Sequence, residues 1–311
     1  MIELLFGLIL LVFGGEVLVR NASALAIKSR VPPLIVGLTV VSIGTSSPEL
    51  FTSLQAVWSD VDGIAVGNVI GSNIANLGLA LGLTAMISPM IVDSRVLKMD
   101  LPLMIFVTLL FGGLAFDGVF SRYDGLILLT GLCLYLWFQI RRSKEIKDEI
   151  DLEDLNKSSK KSEKSYAILL TWIAVGCSLL YFGSEAFIEG ATEIATKLGV
   201  SELIIGMTVV AFGTSVPEIV ASISAAIKGE GDLSIGNLVG SNMMNILLVL
   251  GGSSLISDLP VDASVMSYDF WWMLGTAALL YPILKIGKNI SRNEGAIYVI
   301  CYVTFIYFTI S

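Results

Sequence analysis

The chain has 311 residues, 55% of them hydrophobic and 15% charged, with a mean hydropathy of +0.82 and a net charge of −8. This composition excludes an ordinary soluble domain and describes a membrane protein with room for about ten spans of roughly 20 apolar residues. Histidine is absent and Cys133, Cys177 and Cys301 lie singly in apolar stretches, which argues against imidazole relays, disulfide frameworks and thiolate metal sites and leaves oxygen as the ligand chemistry.

Residues 2–20 carry neither a basic leader nor a small-residue cleavage site and read as a first span rather than a signal peptide. Apolar runs near 2–24, 33–57, 63–87, 101–117 and 124–140 predict five helices. Residues 141–165 (RRSKEIKDEIDLEDLNKSSKKSEKS) are almost wholly polar and read as an exposed, partly helical linker. Its acidic run lacks the spacing and glycine of an EF-hand loop. Five further apolar runs follow, near 166–189, 202–227, 233–257, 269–284 and 295–310.

The two halves repeat each other. VSIGTSSPEL (41–50) returns as VAFGTSVPEI (210–219), and GNVIGSNIANLG (67–78) as GNLVGSNMMNIL (236–247), both 169 residues later. Glu16 and Glu185, Asp93 and Asp262, and Asp100 and Asp269 keep that offset, while SRYDG (121–125) and SRNEG (291–295) differ by 170. Five spans per half is an odd number, so the second half must enter the membrane upside down. The expected architecture is an all-α membrane protein of ten transmembrane helices in two inverted-topology repeats, with a site near the midplane between them. Residues 1–140 form the first repeat, 141–165 the linker and 166–311 the second repeat. Seventeen of the nineteen Lys and Arg residues fall on the side of the linker, placing it in the cytoplasm and both termini outside a cell membrane.

Spans 2 and 7 hold Pro48 and Pro217, which are expected to interrupt them and to free the carbonyls of Gly44 and Gly213. In lipid such a carbonyl must find another partner or line a cavity. Thr45 and Glu49, like Thr214 and Glu218, share one helical face. Spans 3 and 8 add Asn68, Ser72 and Asn76, and Asn237, Ser241 and Asn245, at four-residue spacing. These amides and hydroxyls suit either ion coordination or a plain interhelical hydrogen-bond stripe. The pairs Gly67/Gly71 and Gly236/Gly240 allow close helix approach. No basic residue lies at the depth of Glu49 and Glu218. Two buried carboxylates without a counter-charge call for a cation: one Ca²⁺, or two or more Na⁺, in competition for the same oxygens. Asp60, Asp62, Asp117, Asp124, Asp258 and Asp262 are expected in loops facing water, and Glu16 and Glu185 in helix-to-helix bonds.

GTSSPE and GTSVPE, with GSNIAN and GSNMMN, resemble the two alpha repeats of the sodium/calcium exchanger family within the calcium/cation antiporter superfamily. The resemblance covers nearly all of both halves and omits the linker. It implies an ion site made of Thr45, Ser46, Glu49, Ser72 and Asn76 with Thr214, Ser215, Glu218, Ser241 and Asn245, joined by the backbone carbonyls at Ser42 and Ala211. Some relatives, including potassium-dependent exchangers, carry aspartate where this chain has Asn245, which argues against potassium dependence. Proton/calcium exchangers of the superfamily show different motifs, which favours Na⁺ as the driving ion. The implied activity is Ca²⁺/Na⁺ antiport by alternating access rather than enzymatic turnover. Ca²⁺ and Na⁺ are its substrates, the bilayer its surroundings, and neither a cofactor nor a nucleic acid is expected. A proton/calcium exchanger, a passive cation channel and a membrane enzyme are the competing readings.

Overall fold

The computed structural model describes residues 2–59, 63–149, 164–197, 211–287 and 289–310. Almost all of them are helical. Among the described residues, seven helices are long and apolar enough to cross a membrane: Pro33–Trp58, Gly63–Ile87, Val96–Asp117, Arg122–Glu145, Tyr166–Ile194, Gly231–Ile256 and Val265–Gly287. The helix Ile2–Ser29 precedes them, the shorter helix Val216–Ile227 lies between the fifth and sixth, and Arg292–Ile310 ends the chain. Large apolar side chains such as Phe13, Phe106, Trp137, Trp271 and Ile300 project outward from these helices, as a lipid solvent permits and water does not.

Helices Gly63–Ile87 and Gly231–Ile256 form the centre, the second of them almost entirely enclosed. Helices Arg292–Ile310 and Arg122–Glu149 pack against them through glycines. Gly82 faces Gly295 and Gly251 faces Gly125, each so close that a β-carbon would fall within about 3.4 Å of the partner's backbone. Ile2–Ser29 and Tyr166–Lys197 share the longest seam. Gly7 and Gly14 on one, and Gly176, Gly183 and Gly190 on the other, recur every seven residues against the partner backbone. A seven-residue period keeps one stripe facing the partner along the whole crossing.

Several structural features recur at the spacing of the sequence repeat. The π-helical turns Asn76–Leu81 and Asn245–Leu250 lie 169 residues apart, as do Val96–Asp100 and Val265–Asp269. Four two-residue strands tie the halves together: Met90–Ile91 pairs with Asn289–Ile290, and Val119–Phe120 with Leu259–Pro260, both antiparallel. The SRYD and SRNE motifs are helix starts. Ser121 donates from its backbone N–H (2.8 Å) and hydroxyl (2.6 Å) to Asp124, and the Ser291 N–H donates to Glu294 (2.6 Å), in the reciprocal arrangement of a capping box.

The structure corrects several expectations. Helix Arg122–Glu149 carries on through residues 141–149, the helical part of the expected linker, but Arg142 there is buried rather than exposed. Its guanidinium donates to Asp100 at 2.6 Å, and Gln139 donates to the same carboxylate oxygen at 3.2 Å. The partner lies 42 residues upstream, where local hydropathy cannot register it. Residues 150–163 lie outside the described residues, as do Asp60 and Asp62. Helices Val96–Asp117 and Val265–Gly287 begin before their apolar runs, because each opens with a partly polar π-helical turn. Asp124 caps a helix instead of lying in a loop, whereas Asp117, Asp258 and Asp262 are exposed. Glu16 does bond between helices, to Lys228 at 2.5 Å, but Glu185 accepts from Tyr181 of its own helix at 2.7 Å. Outside the spans, Arg95 holds the Asp93 carboxyl below the usual carboxylate range through a direct hydrogen bond.

Asp100→Ala strands the Arg142 charge in a buried position and should destabilise the protein by about 3–5 kcal/mol, whereas leucine at both positions should recover most of the loss. Thermal unfolding of the purified variants checks this. A single variant as mild as removal of the exposed Arg141–Glu145 pair would contradict it.

Candidate ion-binding site

The helix over 33–58 is broken where its sequence requires. A helical stretch ends at Thr45, Ser46 leaves the helical conformation (φ −84°, ψ 5°), and a new helix starts at Ser47 with Pro48 in its first turn. The missing proline N–H is harmless there, since first-turn N–H groups have no intrahelical partner. The second motif does the same: Ala211–Thr214 ends, Ser215 interrupts (φ −89°, ψ 0°), and Val216–Ile227 begins with Pro217. Each break therefore places its glutamate, Glu49 or Glu218, in the first turn of a new helix, where the helix dipole favours a negative charge. The Gly213 carbonyl, which Pro217 cannot bond, accepts the hydroxyl of Ser184 from the neighbouring helix. The residue 169 positions earlier is Gly15, which has no hydroxyl to offer Gly44.

Glu49 and Glu218 are both fully buried, with relative exposures of 0%. Around them Ser42, Thr45, Ser46, Ser72, Asn76, Thr214, Ser215, Ser241 and Asn245 are all buried as well. Contacts across the halves draw many of them together. Ser46 Oγ donates to Glu218 Oε1 at 3.4 Å, and Thr45 Oγ1 donates to Asn237 Oδ1 at 3.1 Å while lying 3.3 Å from Ser241 Oγ. Ser42 sits against Gly240, and its carbonyl accepts the Ser46 N–H at 2.9 Å, leaving one lone pair. Ala211 opens the turn that ends at Thr214.

Two members of the asparagine stripe serve the scaffold. Asn68 donates to the Glu49 carbonyl (3.2 Å) and to Ser53 (3.0 Å), and Asn237 donates to Ser222 (3.0 Å), so the Asn–Ser bond recurs between the same residue types 169 positions on. They bracket each broken helix to the central helix beside it. Gly236 and Gly240 approach the helix over 33–45 closely. For Gly67 and Gly71 the corresponding stretch, 203–211, lies mostly outside the described residues. Sequence reasoning overlooked Asn73 and Asn242, whose amides exchange hydrogen bonds with each other's backbone carbonyls, Asn73 Nδ2 to Asn242 O at 3.4 Å and Asn242 Nδ2 to Asn73 O at 3.3 Å. Their signal was present in the third residue of each GSN. Ser184 had none, since it lies outside both motifs.

What remains is a set of enclosed oxygens without hydrogen-bond partners: both carboxylate oxygens of Glu49, Oε2 of Glu218, the hydroxyls of Ser72 and Ser215, and the amide oxygens of Asn76 and Asn245. Burying a polar atom without a partner costs about 1–3 kcal/mol, and more for a charge. The only buried basic side chain among the described residues is Arg142, already paired with Asp100. The seven oxygens with two negative charges thus fit a hard cation, whose usual demand is 6–8 oxygens for Ca²⁺. Among the described residues no group of three His, Cys, Asp or Glu side chains gathers, and the other buried polar groups around Glu49 and Glu218 are neutral hydroxyls and amides.

The sodium/calcium exchanger protein family matches this chain over residues 1–141 and 168–311. The inner membrane protein YrbG of Escherichia coli K12 is 38% identical, over 90% of this chain and 87% of its own length. The sodium/calcium exchanger MaX1 of Methanosarcina acetivorans is 32% identical over 97% of this chain and 96% of its own. The solved structure of the sodium-calcium exchanger NCX_Mj, soaked with Na⁺ and Ca²⁺, superposes with a TM-score of 0.83 at 34% identity, covering 98% of this chain and 96% of that one. Helical architecture, a paired-glutamate site and a family match over both halves agree: this membrane protein belongs to the sodium/calcium exchanger family and is a cation transporter.

Proposed function

We propose that the protein is a secondary antiporter that exchanges Ca²⁺ for Na⁺ by alternating access. The observation that carries this reading is the set of seven enclosed, unpartnered oxygens, three of them on two carboxylates that no buried basic side chain among the described residues neutralises. One Ca²⁺ or two Na⁺ would balance the charge, and both loads need the same atoms. Mutually exclusive occupancy is the physical requirement for exchange. The ligands are Glu49, Glu218, Ser72, Asn76, Ser215 and Asn245, together with Thr45, Ser46, Thr214 and Ser241 once the ion replaces their mutual hydrogen bonds, and the carbonyls at Ser42 and Ala211. The transported ions are the only metals involved, without a resident cofactor.

The chain forms ten membrane spans in two inverted repeats of five, residues 1–140 and 166–311, joined by a cytoplasmic linker, with both termini outside. Supporting this are the recurrence of motifs, π-helical turns and strands at 169–170 residues and the one-sided distribution of Lys and Arg. In such folds one repeat rocks against the other around a fixed midplane site. The NCX_Mj crystals were soaked with Na⁺ and Ca²⁺ or Sr²⁺, which supports ions of this kind as substrates here. Protons on the glutamates would also discharge the site, so the coupling ion is decided by transport.

Three outcomes follow for purified protein in liposomes. Glu49→Gln or Glu218→Gln removes one of two charges facing a buried divalent ion, at about 3–5 kcal/mol, and should weaken Ca²⁺ binding on the order of 10²–10⁴-fold and abolish exchange. Normal exchange by both variants would remove these residues from the site. An outward Na⁺ gradient should drive ⁴⁵Ca²⁺ uptake equally with or without K⁺; uptake driven as fast by a pH gradient alone would make the protein a proton/calcium exchanger. Replacing residues 150–163 with a Gly/Ser segment of equal length should leave exchange intact, and its complete loss in correctly inserted protein would give the linker a transport role.

A further inference from the structure

Asn73 and Asn242 occupy the crossing of the two central helices, buried to 1% and 3% exposure. Each donates its amide to the other's backbone carbonyl, so each Nδ2 is committed and each Oδ1 is left as an acceptor. Asn242 uses that acceptor: Asn76 Nδ2 donates to Asn242 Oδ1 at 3.1 Å. The bond fixes the rotation of the Asn76 amide and turns its oxygen away from Asn242, where that oxygen has no protein partner. An asparagine amide free to rotate would present a donor face as readily as an acceptor face, and a cation tolerates only the acceptor.

The equivalent bond in the other half would run from Asn245 Nδ2 to Asn73 Oδ1. Both atoms are without a partner. A second pair differs in the same sense. Ser46 Oγ donates to Glu218, while Ser215 Oγ and both oxygens of Glu49 are unpartnered. Two pairs of corresponding contacts are thus unequal in one direction, as expected when two like halves hold different positions around one site.

We infer that Asn242 is a positioning residue that aims the Asn76 carbonyl at the transported cation, and that Asn73 does the same for Asn245 when the halves exchange positions. This rests on the alternating-access reading. Each amide is then held with its oxygen toward the cation in one access state and left free to rotate in the other, so the loss of either positioning residue is felt at one membrane face.

The test is a double-mutant cycle read by equilibrium ⁴⁵Ca²⁺ binding to purified protein, with Ca²⁺ half-saturation then measured separately at each face in liposomes. N242A should weaken binding about tenfold, the worth of one orienting hydrogen bond. In an N76D background the same change should have little effect, because a carboxylate offers an acceptor in any rotation. A purely structural Asn242 would cost the same in both backgrounds, and that result, or no weakening in either, overturns the inference. N242A and N73A should raise half-saturation at opposite faces; equal effects of both at both faces would also overturn it. If N242A is not monodisperse, the near-isosteric N242L replaces it. Wild-type protein that binds no Ca²⁺ would sink the exchanger reading itself, whereas normal wild-type binding with no coupling removes only the role of Asn242.

Discussion

Two carboxylates buried in a membrane protein without a basic partner are the constraint from which the rest of this structure follows. A charge at the bilayer centre is costly, and proteins normally pair it or place it on a pathway. Here the single buried basic side chain among the described residues, Arg142, is taken by Asp100, and under the proposed function Glu49 and Glu218 are neutralised by an ion from outside. The helix breaks at Ser46 and Ser215 put each carboxylate at the start of a helix, which eases the charge by the dipole alone. The neutral oxygens of Ser72, Asn76, Ser215 and Asn245 are buried without hydrogen-bond partners and would add coordination without adding charge. With only two charges, a single Ca²⁺ is balanced, and so is a pair of Na⁺.

The scaffold around these residues is divided into two kinds of contact. The brackets Asn68–Ser53 and Asn237–Ser222 lock each broken helix to its neighbouring central helix. The reciprocal amides of Asn73 and Asn242 then hold the two central helices to one another. The outer helices Ile2–Ser29 and Tyr166–Lys197 meet instead along a seam of glycines every seven residues. A seam of small residues gives close van der Waals contact with few interlocking side chains. Polar bonds at the centre and a smooth seam outside are the division that the proposed alternating access calls for.

Much of this was legible in the sequence because duplication turns weak local signals into strong ones. One glutamate beside a proline in an apolar run is ambiguous; the same pattern 169 residues later, with the same neighbours, is not. The helix breaks and the burial of the motif residues were readable for that reason. Contacts between distant segments were not. Arg142 sits in a run that is polar by composition, and only its packing against Asp100 reveals that the helix continues and one face is buried. The stripe Asn68, Ser72, Asn76 has a single four-residue period, yet Asn68 bonds a neighbouring helix while Asn76 keeps a free oxygen. Spacing places residues on a face; it does not say which of them finds a partner. Ser184 shows the same limit, since the carbonyl it serves belongs to another helix.

Shared occupancy is the central claim, and equilibrium binding tests it without any membrane gradient. Purified protein titrated with ⁴⁵Ca²⁺ at rising Na⁺ should bind one Ca²⁺ per chain, with an apparent dissociation constant that climbs steadily as Na⁺ is added and an unchanged maximum. A Ca²⁺ affinity indifferent to Na⁺, or a maximum that falls while the affinity holds, would place the two ions at separate sites and contradict the account.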